Sequence, residues 1–399
     1  MQITDVRLHL PRTSSHFASD RQSGDIAQRG WVTQVRVANP MSIYPDYAAQ
    51  RRSWMGPGQE HYAIEIETDT GHVGVCANYY GGPMACQIIS NHFRRFLIGR
   101  NPLDSERIWE QMHRASLPYG LGGLVGMAIA GVDLALWDLK GKILGQPVYR
   151  LIGGATKPEG IPCYLTTHPD AAGQWRDSGF LGVKIAAPHG LEAGREGLLA
   201  MADIIRDLRD AVGPAKEIMV DCYMSWDIEF ASRLAAMVGD CAVKWFEDPL
   251  PNGYAARANA DLRRRIAPIC LAVGNMEYHH KAFHQLIEAG ACDIIQPELH
   301  WIGGLTPTLW IAAFARAHQI PVIPHGANVY PFHFVMANTG SPYAEFVTGG
   351  DGASLAQIFD LLLDQPLPVD GRVHLSEEPG FGVRLNHDRL RPFPQSPAT

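Results

Sequence analysis

The feature that most limits what this chain can fold into is a recurrence across residues 215–347. Six times a short apolar run closes on a polar residue: EIMVD on Asp221, VKWFE on Glu247, CLAVGN on Asn275, DIIQPE on Glu298, IPVIPH on His325 and YAE on Glu345. Successive closing residues lie 26, 28, 23, 27 and 20 positions apart, and each gap holds a polar connector and a stretch of helical periodicity. Repeated strand–helix units build a parallel sheet. In a closed (β/α)8 barrel the C-terminal ends of all strands face one bowl. The pattern predicts an α/β fold of that kind, with carboxylates, an amide and a histidine meeting in one pocket.

IPCYLTT (161–167) and LGVKIAA (181–187) supply the first two barrel strands, and helices are expected at 196–212, 228–238, 282–289 and 306–318. Ahead of them, Ile129, Val132, Leu136, Leu139 and Ile143 mark an amphipathic helix stopped by Gly145 and Pro147. The section before residue 124 has a different rhythm. It reads as a strand at 2–10, a hairpin at 61–77 turning at DTG, and helix at 83–116, an α+β pattern. The tail GRVHLSEEPGFGVRLN is strand-like and is expected to fold back on this section. The expected division is therefore 1–123 with 370–399, and a barrel at 124–369. Residues 13–58 form a connection too long for a passive turn, which reads as a functional loop or lid.

With 34 Lys and Arg against 41 Asp and Glu, the net charge of −7 and the lack of a basic run argue against a nucleic-acid partner. No run reaches the roughly 18 apolar residues of a membrane span. The N-terminus alternates apolar and polar residues where a signal peptide would be continuously apolar. Seven scattered cysteines with no CxxC pair read as reduced, buried thiols of a cytoplasmic protein.

Asp221, Glu247 and Asn275 offer three oxygen donors on neighbouring strand ends, a set suited to a hard cation such as Mg2+. One such acid alone reads more simply as a helix cap; three in succession favour a metal site. His325 follows a strand beside glycine, where it is usable as a general base. Glu298, one strand earlier, can bond the other ring nitrogen and fix the tautomer.

The segments VDCYMSWD, KWFEDPLP, DIIQPELHWIGGL, VIPHGANVY and EEPGFGVRLN resemble the enolase superfamily, and within it acid-sugar dehydratases of the mandelate racemase type, the L-rhamnonate dehydratase group above all. The resemblance implies a modified (β/α)8 TIM barrel under an α+β capping domain made from both termini, and a homo-oligomer, often an octamer. It also implies Mg2+ on Asp221 and Glu247, His325 as base with Glu298 as its partner, and Glu345 near the substrate carboxylate. Arg51 matches a substrate-contacting arginine of the group. Lys184, His189, Glu277 and His300 are the further side chains expected around the substrate.

Four positions depart from the pattern. Asn275 stands where the third ligand is usually Glu, with Glu277 two residues on as the alternative. Glu298 stands where the dyad acid is usually Asp. Ala186 stands where many relatives place a catalytic Lys, and the lid segment QRGWVTQVRV lacks a histidine of the rhamnonate group. Racemisation by two opposed bases needs a second proton carrier, and Ala186 removes the usual one; dehydration needs one base and a leaving group. The expected reaction is dehydration of a sugar acid to a 2-keto-3-deoxy acid. A cycloisomerase or epimerase, and a non-catalytic acid-sugar-binding barrel, are the alternatives.

Overall fold

The computed structural model describes residues 1–12, 35–48, 60–253, 256–350, 352–357 and 360–394. Strand β1 (Ile3–Pro11) buries Val6, Leu8 and Leu10 in strict alternation, the period a half-buried strand requires. It pairs antiparallel with β2 (Tyr62–Thr68), which turns through residues 69–72 into β3 (Val73–Asn78). The tail returns to pair Leu390–Pro392 with β1, completing a four-stranded antiparallel sheet made from both ends of the chain. A helical stretch over 82–97, with a π turn at Ile89–Phe93, and the helix Ser105–Ser116 follow, separated by the loop 98–104 where one continuous helix is expected.

The helix Leu124–Leu144 differs from its expectation. The sequence pattern predicts one apolar face, yet 15 of its 21 residues are buried. It lies between the capping sheet and the barrel, so both faces are covered. Gly74 of β3 lies so close that a Cβ there would come within 2.2 Å of Ala135 O. Its two buried acids are both bonded. Asp138 accepts from Val75 N at 2.8 Å and Phe381 N at 2.9 Å, joining sheet, helix and tail. Asp133 accepts from Thr306 N at 3.0 Å, at the start of helix Leu305–Ala317.

The barrel strands are β4 (Ile161–Thr166), β5 (Gly182–Ala186), β6 (Glu217–Asp221), β7 (Val243–Glu247), β8 (Cys270–Val273), β9 (Ile294–Ile295) and β10 (Ala344–Val347), all parallel, with β10 paired to β4. The seventh position, 321–325, joins only through the bridges Ile295↔Val322 and Glu298↔His325. Pro321 and Pro324 lack the N–H that a continuous ladder needs, and Pro297 likewise ends β9 early.

Tyr164, Met219, Trp245, Ala272, Ile294 and Ile323, one from each of six strand positions, pack into a buried layer with Tyr343 beside it. Side chains two residues further on share the same face. Adding two gives Thr166, Asp221, Glu247, Gly274, Gln296, His325 and Glu345. The apolar floor therefore places the polar bowl directly above it.

Candidate active site

Lys184, next above Gly182 on β5, sits at the centre of the bowl and is 1% exposed. Its Nζ lies 2.8 Å from Glu247 Oε1, 2.9 Å from Glu345 Oε1 and 3.9 Å from Asp221 Oδ2. The other oxygen of Glu247 accepts from Trp245 Nε1 at 3.1 Å and Gln296 Nε2 at 3.0 Å. Trp245 and Gln296 were not expected at the site; the two-residue count from the apolar floor would have found Gln296. Burial and the facing Glu247 carboxylate push Asp221 well above the usual carboxylate range. Burial would raise Glu345 too, but Lys184 and then His325 outweigh it and hold its pKa at about 2. Glu345 also accepts from Gly326 N at 2.9 Å and from the Thr166 hydroxyl.

Asp221 and Glu247 are register partners at the ends of β6 and β7. Asn275 follows β8 after Gly274, whose φ of +117° and contact with the Phe283 ring leave no room for a Cβ. Asp248 Oδ1 accepts from Gly274 N at 3.0 Å and so ties the start of this loop to the end of β7. Asn275 is buried, 3% exposed, just past the end of β8. Two mutually repelling buried carboxylates, with an amide just past the neighbouring strand end, fit a hard divalent cation. Among the described residues no three His, Cys, Asp or Glu side chains gather as ligands. Glu277, the alternative, points elsewhere: its Oε1 accepts from Gly253 N at 3.0 Å in the loop after β7.

His325 Nδ1 lies 2.8 Å from Glu298 Oε2, and its Nε2 lies 4.0 Å from Glu345 Oε2. A neutral imidazole bonded this way donates from Nδ1 and leaves Nε2 as the acceptor. Burial lowers the affinity of this ring for a proton, but Glu345 and Glu298 outweigh it and raise its pKa to about 9. Gly326 packs against the same carboxylate; a Cβ there would approach Glu298 Oε2 to 2.9 Å. Glu298 stays ionised, because two histidine hydrogen bonds overcome its burial and hold its pKa at about 2.

The second histidine is His300, and here the structure corrects the expectation. It was expected against the substrate, yet it is fully buried and bonded to Glu298 Oε1 through Nδ1 at 2.8 Å. His189 is half-buried in the loop after β5, where burial and Arg36 lower its pKa. Nearby, Ala38 N donates to Ala187 O at 2.9 Å and Arg36 pairs with Glu192 at 3.2 Å, so residues 36–38 of the long connection reach the β5 side of the bowl. Arg51 lies outside the described residues.

Two family models match the chain: mandelate racemase/muconate lactonizing enzyme, N-terminal domain, over residues 54–153, and enolase C-terminal domain-like over 169–389. A protein of Saccharopolyspora erythraea named L-rhamnonate dehydratase is 42% identical over 367 residues, covering 91% of this chain and 92% of its own length. The crystal structure of rhamnonate dehydratase from Gibberella zeae complexed with Mg superposes with a TM-score of 0.89 at 34% identity, covering 98% of this chain and 96% of that one. A 3,6-anhydro-D-galactonate cycloisomerase from Zobellia galactanivorans shares the fold at a TM-score of 0.77 and 23% identity, over 98% of this chain and all of that one. With a family model covering more than half its length and a 42% identical relative aligned nearly end to end, the chain belongs to the mandelate racemase/muconate lactonizing enzyme family of the enolase superfamily.

Proposed function

We propose that this protein is a Mg2+-dependent hydro-lyase that dehydrates an aldonate of the L-rhamnonate class to its 2-keto-3-deoxy acid. The observation that carries the reading is a single polarised base, His325, whose Nδ1 is held by Glu298 while its Nε2 faces the Glu345 side of the bowl. Ala186, where a second proton carrier would stand at the end of β5, has no ionisable side chain, which favours elimination over racemisation. Likeness to the Saccharopolyspora and Gibberella proteins supports the choice of acid.

Asp221, Glu247 and Asn275 would hold Mg2+. When bound, that ion neutralises the substrate carboxylate, which makes the C2 proton easier to remove. His325 Nε2 takes that proton, and Glu298, ionised and fixed, stabilises the imidazolium. The same nitrogen then returns the proton to the departing C3 hydroxyl, so that water leaves and the enol product tautomerises to the 2-keto acid. Lys184 offsets the carboxylates of Glu247 and Glu345 beneath the substrate. His189, and Arg51 in the long connection, are the side chains proposed to meet the sugar hydroxyls. No helix among the described residues is long and apolar enough to cross a membrane. A cytoplasmic homo-oligomer, an octamer among the possible assemblies, is part of the proposal.

The test is a panel of acid sugars with Mg2+, read by semicarbazide for 2-keto acid: L-rhamnonate, L-lyxonate, L-mannonate, D-gulonate and the common diacids. Product on L-rhamnonate or a stereochemical neighbour is expected. An isomerised product without 2-keto acid would favour a cycloisomerase instead, and no product with Mg2+ bound would favour a non-catalytic binder.

A further inference from the structure

Glu298 carries its carboxylate at the end of a longer, freer stem than aspartate has, and a dyad acid must hold one oxygen on the base. One bond to His325 would leave that carboxylate able to swing about its terminal torsion, which is broad for glutamate. The bonding around it removes the freedom. Oε1 accepts from His300 N at 3.0 Å and from His300 Nδ1 at 2.8 Å, while Oε2 takes His325 Nδ1 at 2.8 Å. His300 is itself immobilised. Its ring is fully buried and meets Tyr79 and Tyr330 edge-on, each at 5.1 Å between centroids. Its carbonyl accepts from Asn78 Nδ2 at 3.2 Å, and that same amide donates to Met127 O at 3.0 Å. Its other ring nitrogen, Nε2, has no hydrogen-bond partner among the described residues. A ring serving only packing would not need a nitrogen aimed at the dyad acid.

We infer that His300 is a positioning residue for the His325–Glu298 pair, fixing the Glu298 carboxylate so that Oε2 remains on His325 Nδ1, and that Asn78, Tyr79 and Tyr330 hold it there. Asn78 and Tyr79 belong to the end of the capping-sheet hairpin, so the capping domain reaches the base through a chain of named contacts: Asn78, His300, Glu298, His325. The effect on catalysis rests on the dehydratase reading; the effect on the His325 ring does not.

The test compares the Mg2+-loaded wild type with H300N and H300L. The Asn amide can place a nitrogen donor near the position of Nδ1, whereas Leu fills the space without a donor. With L-rhamnonate, H300L should lose about 10–100-fold in kcat with KM little changed, the scale of removing a partner that orients a catalytic group. H300N should keep most of the activity. In proton NMR the downfield Nδ1–H resonance of His325 should persist in wild type and H300N and be lost or broadened in H300L. Thermal melting establishes that both variants are folded. Wild-type kcat and an unchanged resonance in H300L would overturn the inference. So would equal losses in folded H300N and H300L, because packing rather than the hydrogen bond would then be responsible. If the wild type turns over no acid, the dehydratase reading fails and the resonance alone decides the role of His300.

Discussion

Replacing Lys184 by methionine removes the cation that sits among Glu247, Glu345 and Asp221 at 2.8, 2.9 and 3.9 Å. Glu345 retains donors from Gly326 N and Thr166, and Glu247 from Trp245 and Gln296, but all three carboxylates lose the cation that offsets their charge. Breaking a buried ion pair by removing one partner typically costs about 3–5 kcal/mol, because a charge is left buried and uncompensated. An unfolding entropy of about 2.1 cal/mol/K per residue gives roughly 0.8 kcal/mol/K over 399 residues, so Tm should fall by about 4–6 °C if unfolding is one cooperative step. The drop should be full in EDTA and smaller in saturating Mg2+, because a divalent cation on Asp221 and Glu247 supplies the missing positive charge. Differential scanning calorimetry of wild type and K184M, with EDTA and with Mg2+, reads both values. Equal losses in the two conditions would refute the placement of the cation beside Lys184. A loss below about 1 °C would refute the claim that Lys184 compensates these carboxylates.

Three further outcomes follow from the same geometry. His325→Asn should lower dehydration by about 10²–10⁴-fold, the usual worth of a positioned general base, while Mg2+ binding by calorimetry stays intact; near-wild-type turnover would remove His325 from the mechanism. Asn275→Ala should raise the Mg2+ concentration for half-maximal activity by about tenfold or more, whereas Glu277→Ala should leave it nearly unchanged; the reverse order would make Glu277 the ligand. Acid stability should depend on Glu65, which bonds Arg7 at 3.0 Å and His9 at 2.9 Å. Burial opposes its ionisation, but His9 and Arg7 outweigh this and lower its pKa from 4.5 to about 2. Its contribution, about 1–3 kcal/mol after allowing for the half-exposed Arg7, is therefore complete above pH 4.5 and lost as pH falls toward 2. Urea titrations should place E65Q below wild type at pH 7 and level with it near pH 2; a gap independent of pH would contradict this.

Much of the bowl was legible in the chain because strand periodicity is local. An apolar residue on the barrel floor and a polar one two positions later form a pattern written in each strand separately, which is how Asp221, Glu247, His325 and Glu345 stand out. Repetition of the pattern points to a barrel, since one parallel sheet curled on itself gives every strand end the same bowl. The antiparallel hairpin at 62–78 and the returning tail were readable for the same reason: alternation and turn residues act over a few positions.

What the sequence could not decide is what packs opposite each side chain. The helix at 124–144 carries a periodic apolar stripe, but only its place between sheet and barrel explains why most of its circumference is buried and why Asp133 and Asp138 are tolerated inside it. Strand seven reads as a strand by its apolar residues, yet Pro321 and Pro324 reduce it to two bridges once its neighbours are in place. Glu277 and His300 lie within two residues of Asn275 and Glu298 and looked equally available to a substrate. The turn after β8 sends Glu277 to Gly253 N, and the rings of Tyr79 and Tyr330 enclose His300 behind the dyad. Local periodicity determined which residues reach the strand ends; the partners those residues found there were set by contacts between segments far apart in the chain, which only the folded structure brings together.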